Sequence, residues 1–150
     1  MISIRPANLE ADALSIIDGA HAFAESTEFK ELFPDDYDEF TAAIGRIMTL
    51  EGMEILLAEH ENRIVGGIGI LYAPFLWNPK ILVSDELFWW AYKHAPFRTG
   101  RRLAEEAMKR IEEKGAIPMF RLLENSPKGA EKFYRRHLGL KPVETMFARI

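Results

Sequence analysis

Glu86-Leu87-Phe88-Trp89-Trp90-Ala91-Tyr92, and a few residues later Arg98-Thr99-Gly100-Arg101-Arg102-Leu103, form the stretch on which the fold turns. The first part is a continuous apolar run, which fits a strand covered on both faces. The strand extends back to Ile81 and ends at Tyr92. Lys93 to Thr99 reads as a loop, and a helix begins near Gly100, with Leu103, Ala107 and Ile111 on one ridge and Ala104 and Met108 beside it. A helix start presents unpaired N–H groups and positive partial charge, so phosphates sit well there. Lys93, Arg98, Arg101 and Arg102 add cations with no acid between them, and Gly100 removes a Cβ where a phosphate must come close. The plainer reading of the same residues is a solvated basic turn ahead of Glu105 and Glu106.

Downstream, Gly115 ends the helix and Ile117 to Leu123 reads as a strand. Ser126-Pro127 gives an N-cap with proline at the first helical position. That helix carries Ala130, Phe133, Tyr134 and Leu138, and Gly139 closes it. Leu140–Val143 and Thr145–Ile150 read as final short strands. Upstream, Ile2-Ser3-Ile4-Arg5 alternates like a strand. Asn8 caps a helix from Leu9 toward Ala24. A second helix follows Pro34, capped by Asp35 or Asp36, with Tyr37, Phe40, Ile44, Ile47 and Met48 as its apolar face; Gly52 stops it. Glu54–His60 and Arg63–Tyr72 form a hairpin about Glu61-Asn62, and Pro74–Pro79 is a loop. Gly66, Gly67 and Gly69 weaken the second of these strands, so they point to close packing or approach by another backbone. The order is β-α-α-β-β-β-α-β-α-β-β, an α+β or α/β sandwich, a sheet with helices on its faces.

At 150 residues the chain suits a single domain, 1–150. Hydrophobic residues at 48% and charged residues at 28% exclude wholesale disorder. The absence of cysteine excludes disulfides, thiolate metal sites and cysteine nucleophiles, and fits a reducing compartment. A net charge of −4 argues against general nucleic-acid or membrane-surface binding. Arg5, Pro6, Glu10 and Asp12 do not read as a secretory signal. The longest uncharged stretch, Ile64–Pro79, is short for a spanning helix and is broken by Gly66, Gly67, Gly69 and Pro74. A cytoplasmic protein is expected. His21, His60, His94 and His137 are scattered without metal-ligand spacing, so no metal is expected.

This order, with a long central strand feeding a basic helix start, resembles the GNAT family (Gcn5-related N-acetyltransferases) over nearly the whole chain. Glu86–Tyr92 resembles the family's fourth strand. Arg98–Leu103 resembles its phosphate-binding turn, and Ala130-Glu131-Lys132-Phe133-Tyr134-Arg135-Arg136-His137-Leu138-Gly139-Leu140 resembles its A-x-x-x-Y-x-x-x-G-F ending. The Trp-Trp strand is similar to that of small bacteriophage-encoded acetyltransferases. The family turn reads [Q/R]-x-x-G-x-[G/A]. Counted without gaps, Ala95 takes the Gln/Arg position and Arg98 the first glycine; alternatively Arg98 is the family arginine and the loop is shortened. Either way one glycine is missing.

The resemblance implies a mostly antiparallel mixed sheet with helices on both faces, and acetyl-CoA as co-substrate. It implies acetyl transfer to a primary amine of a small molecule or protein by direct attack on the thioester. The pantetheine arm would pair with main-chain groups of Trp90, Ala91 and Tyr92, those of Ala91 and Tyr92 polarising the thioester carbonyl. Its phosphates would meet Arg98, Thr99, Gly100, Arg101 and Arg102. Tyr134 would be the general acid for the leaving thiolate, and Asn125 would line the acceptor or pantetheine. Glu86 is the best candidate base: strict alternation sets it on the face of Phe88 and Trp90, and partial burial would raise its pKa. Asp85, on the other face, is the fallback, and a water chain is a further alternative. Glu25, Glu28, Glu31, Asp35, Asp36, Asp38 and Glu39, against Lys30, would attract a cationic amine or simply form a solvated capping stretch. Phe29, Phe33, Phe75 and Trp77 suit either pocket walls or the core. Two rival readings stand: an inactive module of this fold that binds CoA or a partner, and nucleic-acid binding through the basic residues with Trp89 or Trp90 stacking. The net charge counts against the latter. Dimerisation through late strands is a further expectation from the family.

Overall fold

Five strands build one sheet in the order β1-β2-β3-β4-β5 in a computed structural model that describes residues 1–150. They are β1 (Ser3–Pro6), β2 (Met53–His60), β3 (Arg63–Phe75), β4 (Asn78–Ala91) and β5 (Ile117–Met119). All neighbours are antiparallel except β4 and β5, which run parallel. Helices α1 (Ala13–Glu25) and α2 (Tyr37–Met48) pack on one face, and α3 (Thr99–Glu113) on the other. Helix α4 (Ala130–His137) lies beside α3, joined to it by Arg101, which bonds His137 Nδ1 at 3.1 Å and rests on the Phe133 ring. This is the expected α+β sandwich with a mostly antiparallel sheet.

Two aromatic residues of β4 explain the glycines. An added Cβ on Gly67 would lie 2.1 Å from the Trp90 ring, and one on Gly19 of α1 would lie 2.0 Å from it. On Gly69 a Cβ would meet the Phe88 ring at 2.4 Å. Trp90 and Phe88 therefore occupy the space that side chains would fill, and with Ile16, Ile44 and Leu57 they form the core under α1 and α2. Leu56, Ile68, Ile70, Leu103 and Ile111 form the core under α3.

The ends of elements follow local chemistry. The Asn8 carboxamide accepts from the N–H of Glu10 and Ala11, so Leu9–Asp12 is a turn and α1 starts at Ala13 rather than Leu9. Asp36, not Asp35, caps α2 by accepting from Glu39 N–H at 2.9 Å. A 3₁₀ turn at Lys30–Leu32 lies between the two helices. The expected loop Pro74–Pro79 is mostly strand: β3 runs to Phe75 and β4 resumes at Asn78, leaving Leu76-Trp77 at the tip. Pro74 is tolerated because β2 pairs with β3 only as far as Leu71, so its missing N–H breaks no second ladder.

Four further sequence expectations fail. β5 stops at Met119 instead of Leu123. Pro118 removes a donor from it, and the following residues turn toward the edge of β4. Leu140–Val143 and Thr145–Ile150 form no strands. An apolar segment becomes a strand only against a ladder, and the edge strand on this side of the sheet is the three-residue β5. Val143, Met146 and Phe147 are left exposed. Helix α4 begins at Ala130, not at Pro127. Ser126 Oγ instead accepts from Leu123 N–H in the preceding turn. Finally, Leu87 is a β-bulge: Phe88 pairs with Gly69, yet Glu86 pairs with Ile70. The extra residue reverses alternation, so Glu86 shares the α3-side face of Ile70 rather than the face of Phe88 and Trp90.

Candidate active site

β4 and β5 are paired only at Val83–Asp85 with Ile117–Met119. Beyond them β4 continues to Ala91 with β3 on one side and no strand on the other, so the sheet splits. Tyr92 N–H donates to Val65 O at 3.0 Å, which fixes the parity of the ladder. Paired main-chain groups alternate along an antiparallel strand, so those of Trp90 face β3 and those of Trp89 and Ala91 face the split. This corrects the expectation for Trp90 and Tyr92: their N–H groups serve the sheet. Trp89 takes the outward position beside Ala91. Sequence alone did not reveal that parity, because it depends on register.

The split leads to the start of α3. Arg98 precedes the helix with φ +69°, the left-handed conformation that favours glycine. Of the two sequence registers, this backbone fits the ungapped one, with Arg98 at the first glycine. Thr99 is buried, and its hydroxyl donates to Pro96 O at 2.6 Å, which leaves it no free donor. Arg102 N–H bonds Arg98 O, whereas the N–H groups of Gly100 and Arg101 find no acceptor in the chain. Among the cations, Arg101 is engaged by Glu105 at 2.8 Å and by His137. Lys93, Arg98 and Arg102 are exposed and make no ion pair. The site thus offers two aimed N–H groups and three free cations to an anion.

Glu86 and Tyr134 meet at the mouth of the split, on either side of one residue. Glu86 is 5% exposed and its Oε2 accepts from Arg121 N–H at 3.3 Å. Burial pushes its carboxyl up to about 7, opposed by that hydrogen bond and the Arg121 charge and assisted by Asp85. Tyr134 is buried, and its hydroxyl donates to Arg121 O at 2.9 Å. Burial and then the Glu86 charge hold the phenol well above its ordinary range. Its ring stacks on Trp89 with centroids 6.3 Å apart, and an added Cβ on Gly100 would lie 3.6 Å from the same indole. Trp89 therefore links the helix start to Tyr134. Asp85 pairs with the Arg121 guanidinium at 2.7 Å.

Other candidates lie apart from this cluster. Asn125 is exposed on the turn after β5 and bonds no other site residue. A cavity of about 320 Å³ is lined by Glu25, Ser26, Thr27, Glu28, Lys30, Glu31 and Ile150, and neither Glu86 nor Tyr134 reaches it. Phe33 packs on Phe40, and Trp77 stands exposed at the hairpin tip. No helix is long and apolar enough to cross a membrane.

Comparison with known proteins gives a likeness of fold. A transcriptional regulator from Bacillus halodurans C-125 superposes with a TM-score of 0.75 at 19% identity, covering 100% of this chain and 99% of that one. The ribosomal-protein-alanine N-acetyltransferase of Brucella melitensis biovar Abortus 2308 gives 0.72 at 14% identity, covering 99% of each chain. A "predicted acetyltransferase" from Clostridium acetobutylicum, solved with acetyl-CoA, gives 0.70 at 11% identity, covering 100% and 96%. No family model and no curated protein matches the sequence. The chain shares the fold of these proteins over its whole length.

Proposed function

We propose that the chain is an acetyl-CoA-dependent N-acetyltransferase acting on a primary amine. The observation that carries this reading is the split of β4 from β5. It runs from the free N–H groups of Gly100 and Arg101 to a mouth where Glu86 and Tyr134 bond the two ends of one residue, Arg121. Acetyl-CoA, when bound, supplies the thioester that the amine attacks. Gly100 and Arg101 N–H, with Arg98, Arg102 and Lys93, would hold its phosphates. The outward main chain of Trp89 and Ala91 would hydrogen-bond the pantetheine arm and polarise the carbonyl. Glu86, at about 7, is matched to accept a proton from the substrate ammonium near neutral pH, directly or through water, which frees the amine lone pair to attack. Tyr134 stays protonated over the same range and so retains a proton for the leaving thiolate. To deliver it, the hydroxyl must leave Arg121 O. The acceptor would be a small-molecule or protein amine, drawn by the acids between Glu25 and Glu39.

A second reading, a CoA-binding module without turnover, draws on two observations. Arg98 stands where the family has glycine, and the Tyr134 hydroxyl already has a partner. Release of free thiol from acetyl-CoA over a panel of polyamines, lysine peptides and small primary amines separates the two. The enzyme reading predicts release with at least one amine, lowered about 100-fold or more by Glu86→Gln and about 10-fold or more by Tyr134→Phe. Binding of acetyl-CoA with no release for any amine would favour the module.

A further inference from the structure

Arg121 is the one residue that touches everything at the mouth. Its N–H donates to Glu86 Oε2 at 3.3 Å and its carbonyl accepts from the Tyr134 hydroxyl at 2.9 Å. These are the only hydrogen bonds either side chain makes within the protein. Its guanidinium reaches back across the split, donating to Asp85 Oδ2 at 2.7 Å and to Glu86 O at 3.4 Å. The contacts sit just beyond the last β4–β5 pair, Asp85 with Met119, where no ladder fixes the chain.

We infer that Arg121 is a positioning residue: its side chain pins the segment after β5 to β4, so that its own N–H and C=O hold Glu86 and Tyr134 in fixed relation across the mouth of the split. This rests on the reading of those two side chains as the proton-handling pair. The ion pair is a poor candidate for a purely stabilising role, because the Arg121 side chain is 51% exposed and exposed pairs stabilise folds little. Its value lies in where it holds the peptide. The charged and titratable groups facing Glu86 are Arg121, Asp85 and Tyr134, so removing the guanidinium removes the only cation among them. Without the pin, both side chains keep their chemistry and lose their geometry, and a small displacement of reacting groups is enough to slow a reaction strongly.

The test has two independent arms on Arg121→Ala, Arg121→Gln and Arg121→Lys. In the first, Glu86 is followed by carbon NMR of protein labelled at its glutamate carboxyls, assigned with Glu86→Gln, without any ligand. The expected result is a titration midpoint raised by about one pH unit in the Ala and Gln variants, and restored toward wild type by Lys. In the second, kcat for thiol release falls by about 10- to 100-fold in the Ala variant while KM for acetyl-CoA stays within about twofold, with partial rescue by Lys. Should Arg121→Ala not fold, Arg121→Gln, which keeps the aliphatic stem and loses the charged guanidinium, decides both arms. A Glu86 midpoint that does not move in a folded variant overturns the inference, as does a folded variant with wild-type kcat. A wild-type protein that acetylates no amine overturns the enzyme reading instead, and the NMR arm still decides whether Arg121 governs Glu86.

Discussion

Trp89 and Trp90 are adjacent in the chain and face opposite worlds. Trp90 is 6% exposed and fills a socket made by Gly19 and Gly67, where no neighbour can gain an atom without a clash. Trp89 points to the other face, between Gly100 and the Tyr134 ring, with space for a methyl group beside it. The α1/α2 face is held by tight apolar packing. The mouth beside α4 is held by a few polar contacts, most of them made by Arg121. One strand therefore carries a rigid face that keeps the sheet in shape and a looser face free to bind and react.

Replacing each tryptophan is the strongest way to break that contrast. Trp90→Ala should destabilise the protein by about 3–5 kcal/mol in urea unfolding, and Trp89→Ala by less than half as much. Equal losses would mean that the two faces do not differ. Glu86 gives the next effect, with a sign set by pH. Its carboxyl is raised from 4.5 to about 7, so its favourable contribution is complete below pH 4.5 and is lost as pH rises through 7. Glu86→Gln should therefore leave stability unchanged near pH 4 and increase it by about 3 kcal/mol above pH 8, at 1.36 kcal/mol per pH unit. Unfolding curves at the two pH values read this directly, and a loss of stability at pH 8.5 would contradict the burial of the carboxyl. Gly67→Ala, which forces a Cβ onto the Trp90 ring, should cost about 1–3 kcal/mol. Smallest is Gly100→Ala: its stability effect should lie within about 0.5 kcal/mol, while acetyl-CoA affinity falls. Unaltered affinity would show that no ligand comes close to Gly100.

The strand Glu86–Ala91 and the helix from Thr99 were legible because each announces itself locally, by an apolar run and by a ridge of Leu103, Ala107 and Ile111. The glycines opposite Trp90 were legible as close packing, though not which aromatic they received. What stayed hidden was register. The bulge at Leu87 has no sequence signature, so strict alternation sets Glu86 on the wrong face. The same blindness assigns the outward main chain to Trp90 and Tyr92 as well as Ala91, and omits Trp89. Arg121 was missed because its partners, Asp85 and Glu86, become neighbours only through β4–β5 pairing. The last strands failed for the opposite reason: their apolar residues suit a strand, but the neighbouring edge strand is too short.

The donor site is tested most directly by calorimetric titration of acetyl-CoA into wild type and into Arg98→Glu/Arg102→Glu. These two cations are the natural choice because they are free, whereas Arg101 is committed to Glu105 and His137. Binding in the micromolar range, weakened about 10-fold or more by the double reversal, is the predicted result. No heat of binding with wild type, or equal affinity for both proteins, would contradict a phosphate site at the start of α3 and leave a shared fold without its donor.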